Sequence, residues 1–210
     1  MRSLILVGGG GHCKSVIEVA ESAGYTILGI LDRQEEVGKK VLGYDVIGTD
    51  YEMIKYVDLA YFIVTVGQIK SPDLRIKLYR MIERAGGHLA TIVAPTAQVS
   101  KYANIGKGSI IMHHALVNAE ANVGKGCIIN TASVIEHDAN IGDFCHISTG
   151  VIVNGGAKVG DESFVGSQTV INHRVSIGRR AIIGAGSAVV SDLPVNCIAV
   201  GVPARPIKFH

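Results

Sequence analysis

An aliphatic residue stands at every sixth position from Val93 to Val195, and all eighteen of these residues are Ile or Val. Four residues after each of them, from Ala97 to Ser187, only Ala, Ser, Cys, Thr or Val occurs. An α-helix, with about 3.6 residues per turn, cannot keep a six-residue repeat on one face. The pattern instead predicts a parallel β-solenoid, in which stacked coils bury a column of β-branched side chains and small residues fill the corners.

A second period of eighteen residues lies on top of the first and is marked by glycine. These glycines are Gly106, Gly124, Gly142, Gly160 and Gly178. Three rungs therefore form one coil, and the eighteen rungs make six coils. With about 4.8 Å between stacked strands, six coils form a prism roughly 29 Å tall. Because the ends of such a stack need covering, we expect the N-terminal domain to cover one end and the proline-containing tail from Asp192 to cover the other.

The first half of the chain has a different pattern, typical of an α/β domain. Residues 3–7 read as a buried parallel strand that ends in four glycines, and 12–23 read as a helix with an apolar stripe. A second strand over 25–31 ends at Asp32. This βαβ order predicts a Rossmann-like turn whose amides and helix N-terminus suit an anion. The glycines do not match GxGxxG cleanly, so a tight turn that only packs helix on strand stays an alternative.

The rest of this domain continues the alternation of helices and strands. We expect a short helix near 51–56, a strand over 60–66, and a helix over 72–85 with Arg75, Lys77 and Arg80 on its polar sides. A last strand over 89–93 leads into the solenoid. The predicted domains are therefore a Rossmann-like nucleotide-sugar-binding domain, 1–88, and a β-helix acyltransferase domain with a C-terminal tail, 89–210.

The composition of the chain limits the kinds of partner that we expect it to bind. The formal charge is +2 with no block of like charges, which gives no reason to expect nucleic acid. No segment approaches the roughly 20 apolar residues that span a bilayer, and the run from Leu4 to Val7 is too short for a signal peptide. We therefore expect a cytoplasmic protein with no membrane partner. The four cysteines have no metal-ligand spacing and are expected to be reduced, buried fillers; they are Cys13, Cys127, Cys145 and Cys197.

The strongest candidate for catalysis is His137, at a predicted corner of the solenoid. Its neighbours are Glu136 and Asp138, and a carboxylate beside an imidazole can orient the ring and raise its basicity, as a general base requires. No serine or cysteine in a nucleophile setting accompanies it, which favours direct transfer over a covalent intermediate. A metal site is the competing interpretation. His137 and His173 are two coils, about 9.6 Å, apart, so only a site shared between subunits stays open.

A second histidine, His146, is predicted to point outward between the apolar Ile128 and Phe164 of neighbouring coils. An outward histidine among apolar residues suggests that another surface docks there, and we expect that surface to be a second subunit.

These motifs together closely resemble the hexapeptide-repeat acyltransferases of the left-handed β-helix class. The subgroup that they resemble includes bacterial sialic acid O-acetyltransferases and the UDP-4-amino-sugar N-acetyltransferases of bacillosamine synthesis. The resemblance covers nearly the whole chain and is most specific over 130–138, where the sequence reads Asn-Thr-Ala-Ser-Val-Ile-Glu-His-Asp, and over 141–148. The stretches 8–12, 66–75 and 201–205 also match. Left-handedness follows from the resemblance alone, because the usual preference of crossovers is right-handed.

The resemblance implies roles for particular positions. His137 would be the general base and Asp138 would increase its basicity, although many relatives have Glu in place of this Asp. Acetyl-CoA would be the co-substrate, with no metal required, and relatives assemble as homotrimers with the active site between subunits. The implied acetyl-CoA contacts are His146, Gly155, Ser167 and Ala185. The implied contacts to the nucleotide-linked sugar are Gly11, His12, Cys13, Asp32, Arg33 and Gly67.

The leading interpretation is an acetyltransferase of glycan biosynthesis that acts on the amino group of a nucleotide-linked amino sugar, of the UDP-4-amino-4,6-dideoxy-N-acetylglucosamine type. O-acetylation of sialic acid or a related nonulosonate is the alternative. A non-catalytic nucleotide-sugar-binding scaffold is a more remote one, which the pairing of His137 with Asp138 disfavours.

Overall fold

The computed structural model describes residues 2–210. The N-terminal domain has a six-stranded sheet in the order β3-β4-β2-β1-β5-β6, parallel except for the β3–β4 hairpin. Its strands and helices, in chain order, are β1 (Arg2–Val7), α1 (Gly11–Ser22), β2 (Tyr25–Asp32), β3 (Lys40–Val41), β4 (Tyr44–Thr49), β5 (Tyr61–Val64), α2 (Asp73–Arg84) and β6 (His88–Leu89), with 3₁₀ turns at Gln34–Glu36 and Asp50–Tyr56.

Alternation along β1 places two separate cores on the two sides of this sheet. Leu4 and Leu6 pack with α1, whereas Ile5 and Val7 pack with α2. The predicted strand over 89–93 is in fact two strands, because β6 pairs with β5 in the first sheet and Ile92–Val93 already belongs to the solenoid.

From 92 to 189 the chain forms seventeen two-residue strands in three flat, parallel faces. The docked face contains β7 (Ile92–Val93), β10 (Ile110–Ile111), β13 (Ile128–Ile129), β16 (His146–Ile147), β19 (Phe164–Val165) and β22 (Ile182–Ile183). The apolar face contains β8 (Gln98–Val99), β11 (Leu116–Val117), β14 (Val134–Ile135), β17 (Ile152–Val153), β20 (Val170–Ile171) and β23 (Ala188–Val189). The polar face contains β9 (Asn104–Ile105), β12 (Asn122–Val123), β15 (Asn140–Ile141), β18 (Lys158–Val159) and β21 (Ser176–Ile177).

The six-residue register predicted from the sequence is confirmed over these strands. The second residue of each strand points inward, and from Ile111 to Val189 these residues form one buried column with the small corner residues. The glycine period marks the corner after the polar face. A β-carbon on Gly106 would stand 2.4 Å from the backbone nitrogen of Lys125 in the next coil, so glycine is required there for close stacking.

The register fails at its last rung. Val195 is 55% exposed, and the buried Leu193 takes the inward place instead, in a bridge with Ile177. The tail then turns back as a hairpin of β24 (Cys197–Gly201) and β25 (Ala204–Phe209), with β24 added parallel to β22. Cys197, Ala199 and Ala204 complete the core, so the tail covers the C-terminal end as predicted.

The N-terminal domain does not cover the other end, which corrects that prediction. It packs on the side of the prism, where α1 and β1 share a core with Ile92, Ile110 and Ile128 of the docked face. Val93, at the start of the inward column, stays 37% exposed. The outward isoleucines of the docked face give α1 and β1 an apolar surface to bury, which favours this position.

Candidate active site

His137 lies at the corner between the apolar and polar faces, after β14. Its Nδ1 is 2.7 Å from Oδ2 of Asp138, which has a left-handed backbone with φ +62°. This hydrogen bond, together with the negative charges of Asp138 and Glu136, raises the pKa of His137 above its ordinary value. Because the carboxylate accepts the Nδ1 proton, the neutral ring keeps its lone pair on Nε2. A ring held in this way can act as a general base, with Asp138 as the orienting carboxylate.

The Glu136 carboxylate makes different contacts from that of Asp138. Its Oε2 accepts a hydrogen bond from Nδ2 of Asn118 at 3.0 Å and faces the backbone N–H of His137 at 3.4 Å. The carboxylate therefore fixes the corner backbone, and of the two acidic neighbours only Asp138 is hydrogen-bonded to the imidazole.

Gly155 stacks on His137 in the following coil. A β-carbon there would stand 2.8 Å from both Cε1 and Nε2 of the ring, so the glycine makes room for the imidazole. An open groove of about 670 Å³ runs past both residues, and its lining is His137, Asp138, Gly155, Gly156, His173 and Arg174. The structure thus brings one of the four expected acetyl-CoA contacts to the histidine.

Ser167 and Ala185 lie elsewhere, at the corner between the docked and apolar faces. The Ser167 hydroxyl is 2.9 Å from that of Ser148, and a β-carbon on Gly166 would stand 2.5 Å from the backbone nitrogen of Ala185. One side of the coil is six residues long, which separates the two corners by up to about 20 Å. In a single chain neither of these two residues lines the His137 groove.

His146 points outward as predicted, but the surface that docks on it is the N-terminal domain of the same chain. The ring is only 7% exposed; Nδ1 is 2.6 Å from the carbonyl oxygen of Gln68 and Nε2 is 3.2 Å from Nδ2 of Asn130. Burial lowers the pKa of His146 to about 4, with Gln68 opposing the shift. Both ring nitrogens are therefore engaged within the chain, and the apolar strip expected at a subunit interface is an interdomain contact.

The glycine-rich turn presents an open helix N-terminus. Gly8 has φ +106° beneath Val66, and the Gly9 amide donates to Oδ2 of Asp32 at 2.6 Å. A β-carbon on Gly10 or Gly11 would meet nothing within 4 Å, and no side chain caps α1. The space beside the N-terminus of α1 is therefore open and no side chain caps it, which suits an anion site.

Asp32 and Arg33 stand beside this turn. The other carboxylate oxygen of Asp32 accepts from the backbone N–H of Arg33 at 2.8 Å, so this aspartate joins the ends of β1 and β2. The Arg33 side chain is exposed and lies 3.1 Å from Glu35.

The side chains of His12 and Cys13 do not face the open turn, and the burial of Cys13 confirms the prediction of a buried filler. Cys13 is fully buried, and burial raises the pKa of its thiol to about 11. The His12 ring points into the domain junction, with its centroid 6.4 Å from that of His146 and its Cα–Cβ stem beside Gly67. Burial, followed by the charge of Arg75 and by His146, lowers the pKa of His12 to about 3.

Arg75 was predicted on a polar helix side and is instead 1% exposed. Its Nη1 donates to the carbonyl oxygens of Val64 at 2.8 Å and Val66 at 2.9 Å, and its Nε donates to Gly126 of the solenoid at 2.9 Å. Burial lowers its pKa to about 10, which keeps the guanidinium charged at neutral pH. The helical periodicity of the sequence does not indicate these contacts of Arg75, because arginine is common on the polar face of a helix.

Fold and site together define a transferase of the hexapeptide-repeat class. The family model described as PglD N-terminal domain matches residues 3–82, and that described as bacterial transferase hexapeptide (six repeats) matches 156–190. A comparison with curated proteins gives no match.

Solved structures align over nearly the whole chain. Perosamine N-acetyltransferase from Caulobacter crescentus, solved as a histidine-to-asparagine mutant with CoA and GDP-perosamine, has 33% identity and a TM-score of 0.93, with 99% of this chain and 98% of that chain covered. The acetyltransferase domain of PglB from Neisseria gonorrhoeae FA1090 has 32% identity and a TM-score of 0.92, with 99% and 100% covered. WeeI from Acinetobacter baumannii AYE, at 22% identity and a TM-score of 0.87 over 99% and 100%, shares the fold.

The chain belongs to this family of hexapeptide-repeat acetyltransferases with a PglD-type N-terminal domain. The predicted fold, a small Rossmann-like domain followed by a left-handed parallel β-helix, is confirmed. No helix within residues 2–210 is long and apolar enough to cross a membrane. The same residues contain no group of three or more His, Cys, Asp or Glu side chains that could hold a metal ion.

Proposed function

We propose that this enzyme transfers an acetyl group from acetyl-CoA to the amino group of a nucleotide-linked amino sugar, with a UDP-linked 4-amino sugar as the first candidate and a GDP-linked one as the second. The observation that carries the proposal is the His137–Asp138 pair, at 2.7 Å, with Nε2 beside an open groove. The bound CoA and GDP-perosamine of the Caulobacter relative support acetyl-CoA and a nucleotide-linked amino sugar as the two substrates.

In this reaction the same base takes part in two proton transfers. The amine nitrogen attacks the thioester carbonyl, a C–N bond forms, and Nε2 of His137 takes the proton that the amine loses. The C–S bond then breaks, and the imidazolium returns this proton to the leaving thiolate, so the products are an amide and free CoA. Asp138 stabilises the imidazolium between the two steps.

The acyl donor would be shared between two chains. Ser167 and Ala185 line one corner, whereas His137 and Gly155 line another, up to about 20 Å away across the apolar face. In a homotrimer, the Ser167 corner of one subunit can lie against the His137 corner of its neighbour. The apolar face also offers an interface, since its outward side chains are partly exposed and mostly apolar; they are Leu116, Val134, Ile152, Val170 and Ala188.

The nucleotide part of the acceptor would occupy the glycine-rich turn. The open space beside Gly10 and Gly11, at the N-terminus of α1, suits the diphosphate, and Asp32, Arg33 and Gly67 lie at or just after the carboxyl ends of the neighbouring strands. His12 and Cys13 would shape the turn from below.

A free-thiol assay tests the function. Acetyl-CoA is supplied with UDP-, GDP- and CMP-linked amino sugars and with free sialic acid, and CoA release is measured with and without each acceptor. We expect acceptor-dependent release with a nucleotide-linked amino sugar. If CoA is released only when sialic acid is the acceptor, O-acetylation replaces the proposal. If no compound causes acceptor-dependent CoA release, the protein is not an acetyltransferase of either kind.

Mixed trimers test the shared site. His137→Ala and Ser167→Trp chains are each assayed alone and after co-expression. One intact site forms wherever an unaltered His137 corner meets an unaltered Ser167 corner, so random mixing should restore about a quarter of the wild-type activity. Activity no higher than that of the two separate variants would place the whole site within one chain.

A further inference from the structure

A basic groove lies on the far side of the molecule, between α2 and the corner that joins the polar and docked faces. Its volume is about 480 Å³, within the usual range for a small-molecule site. None of its lining residues belongs to the glycine-rich turn or to the His137 groove. Because the corner is opposite the apolar face, the groove would stay open in the trimer proposed above.

Positive charge is concentrated in this groove. Five of its lining residues are cationic and two are anionic, a balance of +3, while the whole chain carries only +2. The cationic residues are Lys77, Arg80, Arg84, Arg179 and Arg180. Such a local excess attracts anions.

The two acidic residues are already engaged. Burial alone would raise the pKa of Glu162, but its hydrogen bonds to Arg180 and Arg179 hold that pKa below its ordinary value. Arg180 also donates to Asp73 at 2.8 Å. The carboxylates therefore hold these two guanidinium groups in place at the edge of the groove.

Two other arginines have no such partner. Arg80 and Arg84 lie one turn apart on α2, and within residues 2–210 neither side chain has a hydrogen bond or an ion pair. Ile76 and Met81, on the same helix, add an apolar wall. Unpaired guanidinium groups beside an apolar wall match a ligand with phosphates at one end and a flat, less polar group at the other.

We propose that this groove is a second anion site, which binds a nucleoside di- or triphosphate apart from the substrates of the acetyl transfer. Calorimetric titration of ADP and of pyrophosphate into the whole protein tests it. Arg80→Gln with Arg84→Gln removes the unpaired charges, and Lys101→Gln with Lys208→Gln, on exposed sites outside the groove, removes the same net charge.

We expect one binding event per chain to weaken by at least about tenfold in the arginine double variant and to persist in the lysine double variant. ADP should bind more tightly than pyrophosphate in that event. If the wild type and both double variants bind ADP equally, or if none of them binds it, the proposed site is wrong. If ADP binds no more tightly than pyrophosphate, the nucleoside part of the proposal is wrong. Acetyl transfer is measured in the arginine double variant as well, and an unchanged rate would show that the groove is separate from the catalytic site.

Discussion

Gly155 stands directly over the imidazole of His137, where a β-carbon would come within 2.8 Å of Cε1 and Nε2. The equivalent positions in the two preceding coils are His137 and, before it, Ala119, so the corner itself accepts a side chain. The glycine is therefore needed for the histidine ring and not for the turn.

Gly155→Ala should displace the ring and lower kcat by about tenfold to a hundredfold, since a misplacement of about 1 Å can cost that much. The unfolding midpoint should stay close to that of the wild type, because Ala119 shows that the backbone tolerates alanine. Steady-state kinetics and thermal unfolding check this. Unchanged turnover would mean that the base does not work from this ring position.

Asp138→Asn should move the pH dependence of catalysis. His137 acts as a base only when neutral, so kcat/KM should fall as the pH drops through its pKa, which Asp138 raises. Removal of the carboxylate lowers that pKa, and the acidic limb should shift to lower pH while the plateau falls. Asn suits the left-handed backbone at φ +62°. Glu136→Gln is the matched control and should move the limb less; a limb unmoved in Asp138→Asn would remove the aspartate from the mechanism.

Asp32→Ala should raise the KM for the nucleotide sugar severalfold to about tenfold, the usual effect of one lost hydrogen bond, and leave the KM for acetyl-CoA nearly unchanged. Asp32→Asn, which keeps an acceptor for the Gly9 amide, should have a smaller effect. Ser167→Trp should show the reverse selectivity by obstructing the acyl-donor corner. Equal changes in both KM values for Asp32→Ala would indicate a general disturbance of the fold.

The buried histidines should make the fold sensitive to acid. The pKa values of His12 and His146 are lowered to about 3 and about 4, so the unfolded chain takes up protons below its ordinary pKa near 6.5 while the folded chain does not. Stability is therefore complete above pH 6.5 and is lost as the pH falls towards 4, by roughly 2 kcal/mol per histidine at pH 5.

Urea unfolding at pH 7.5, 6 and 5, at one fixed protein concentration, measures this loss. His12→Gln cannot titrate, and its stability should fall by roughly 2 kcal/mol less than that of the wild type between pH 7.5 and 5. Parallel pH dependences for the two proteins would show that His12 is solvated in solution.

The solenoid could be predicted from sequence because each rung repeats the same local requirement, and sixteen successive six-residue steps from Val93 to Val189 agree with the strands. The last rung failed because the step from Val189 to the inward Leu193 is four residues and not six, so Leu193 is buried and Val195 is exposed. The corner position of His137 followed from the same register.

Interdomain contacts could not be predicted in this way. His146 bonds to Gln68 across 78 residues of sequence, and Arg75 bonds to Gly126 across 51. No local pattern encodes which face of the prism receives the N-terminal domain. The side chains of Arg75 and His146 were therefore assigned to the wrong surroundings, although the helix and the strand that carry them were predicted correctly.

Direct transfer from acetyl-CoA with His137 as base is the central claim, and one labelling measurement tests it. The protein, at a concentration equal to that of acetyl-CoA, is mixed with acetyl-CoA labelled in the acetyl group and with the acceptor found in the thiol assay. The label on the sugar and the label on the protein are then followed over a single turnover. We predict that label passes to the sugar amine with none held by the protein, and that His137→Ala slows this by about 10² to 10⁴. Label retained on the protein before it reaches the sugar, or an unchanged rate in His137→Ala, would contradict the account.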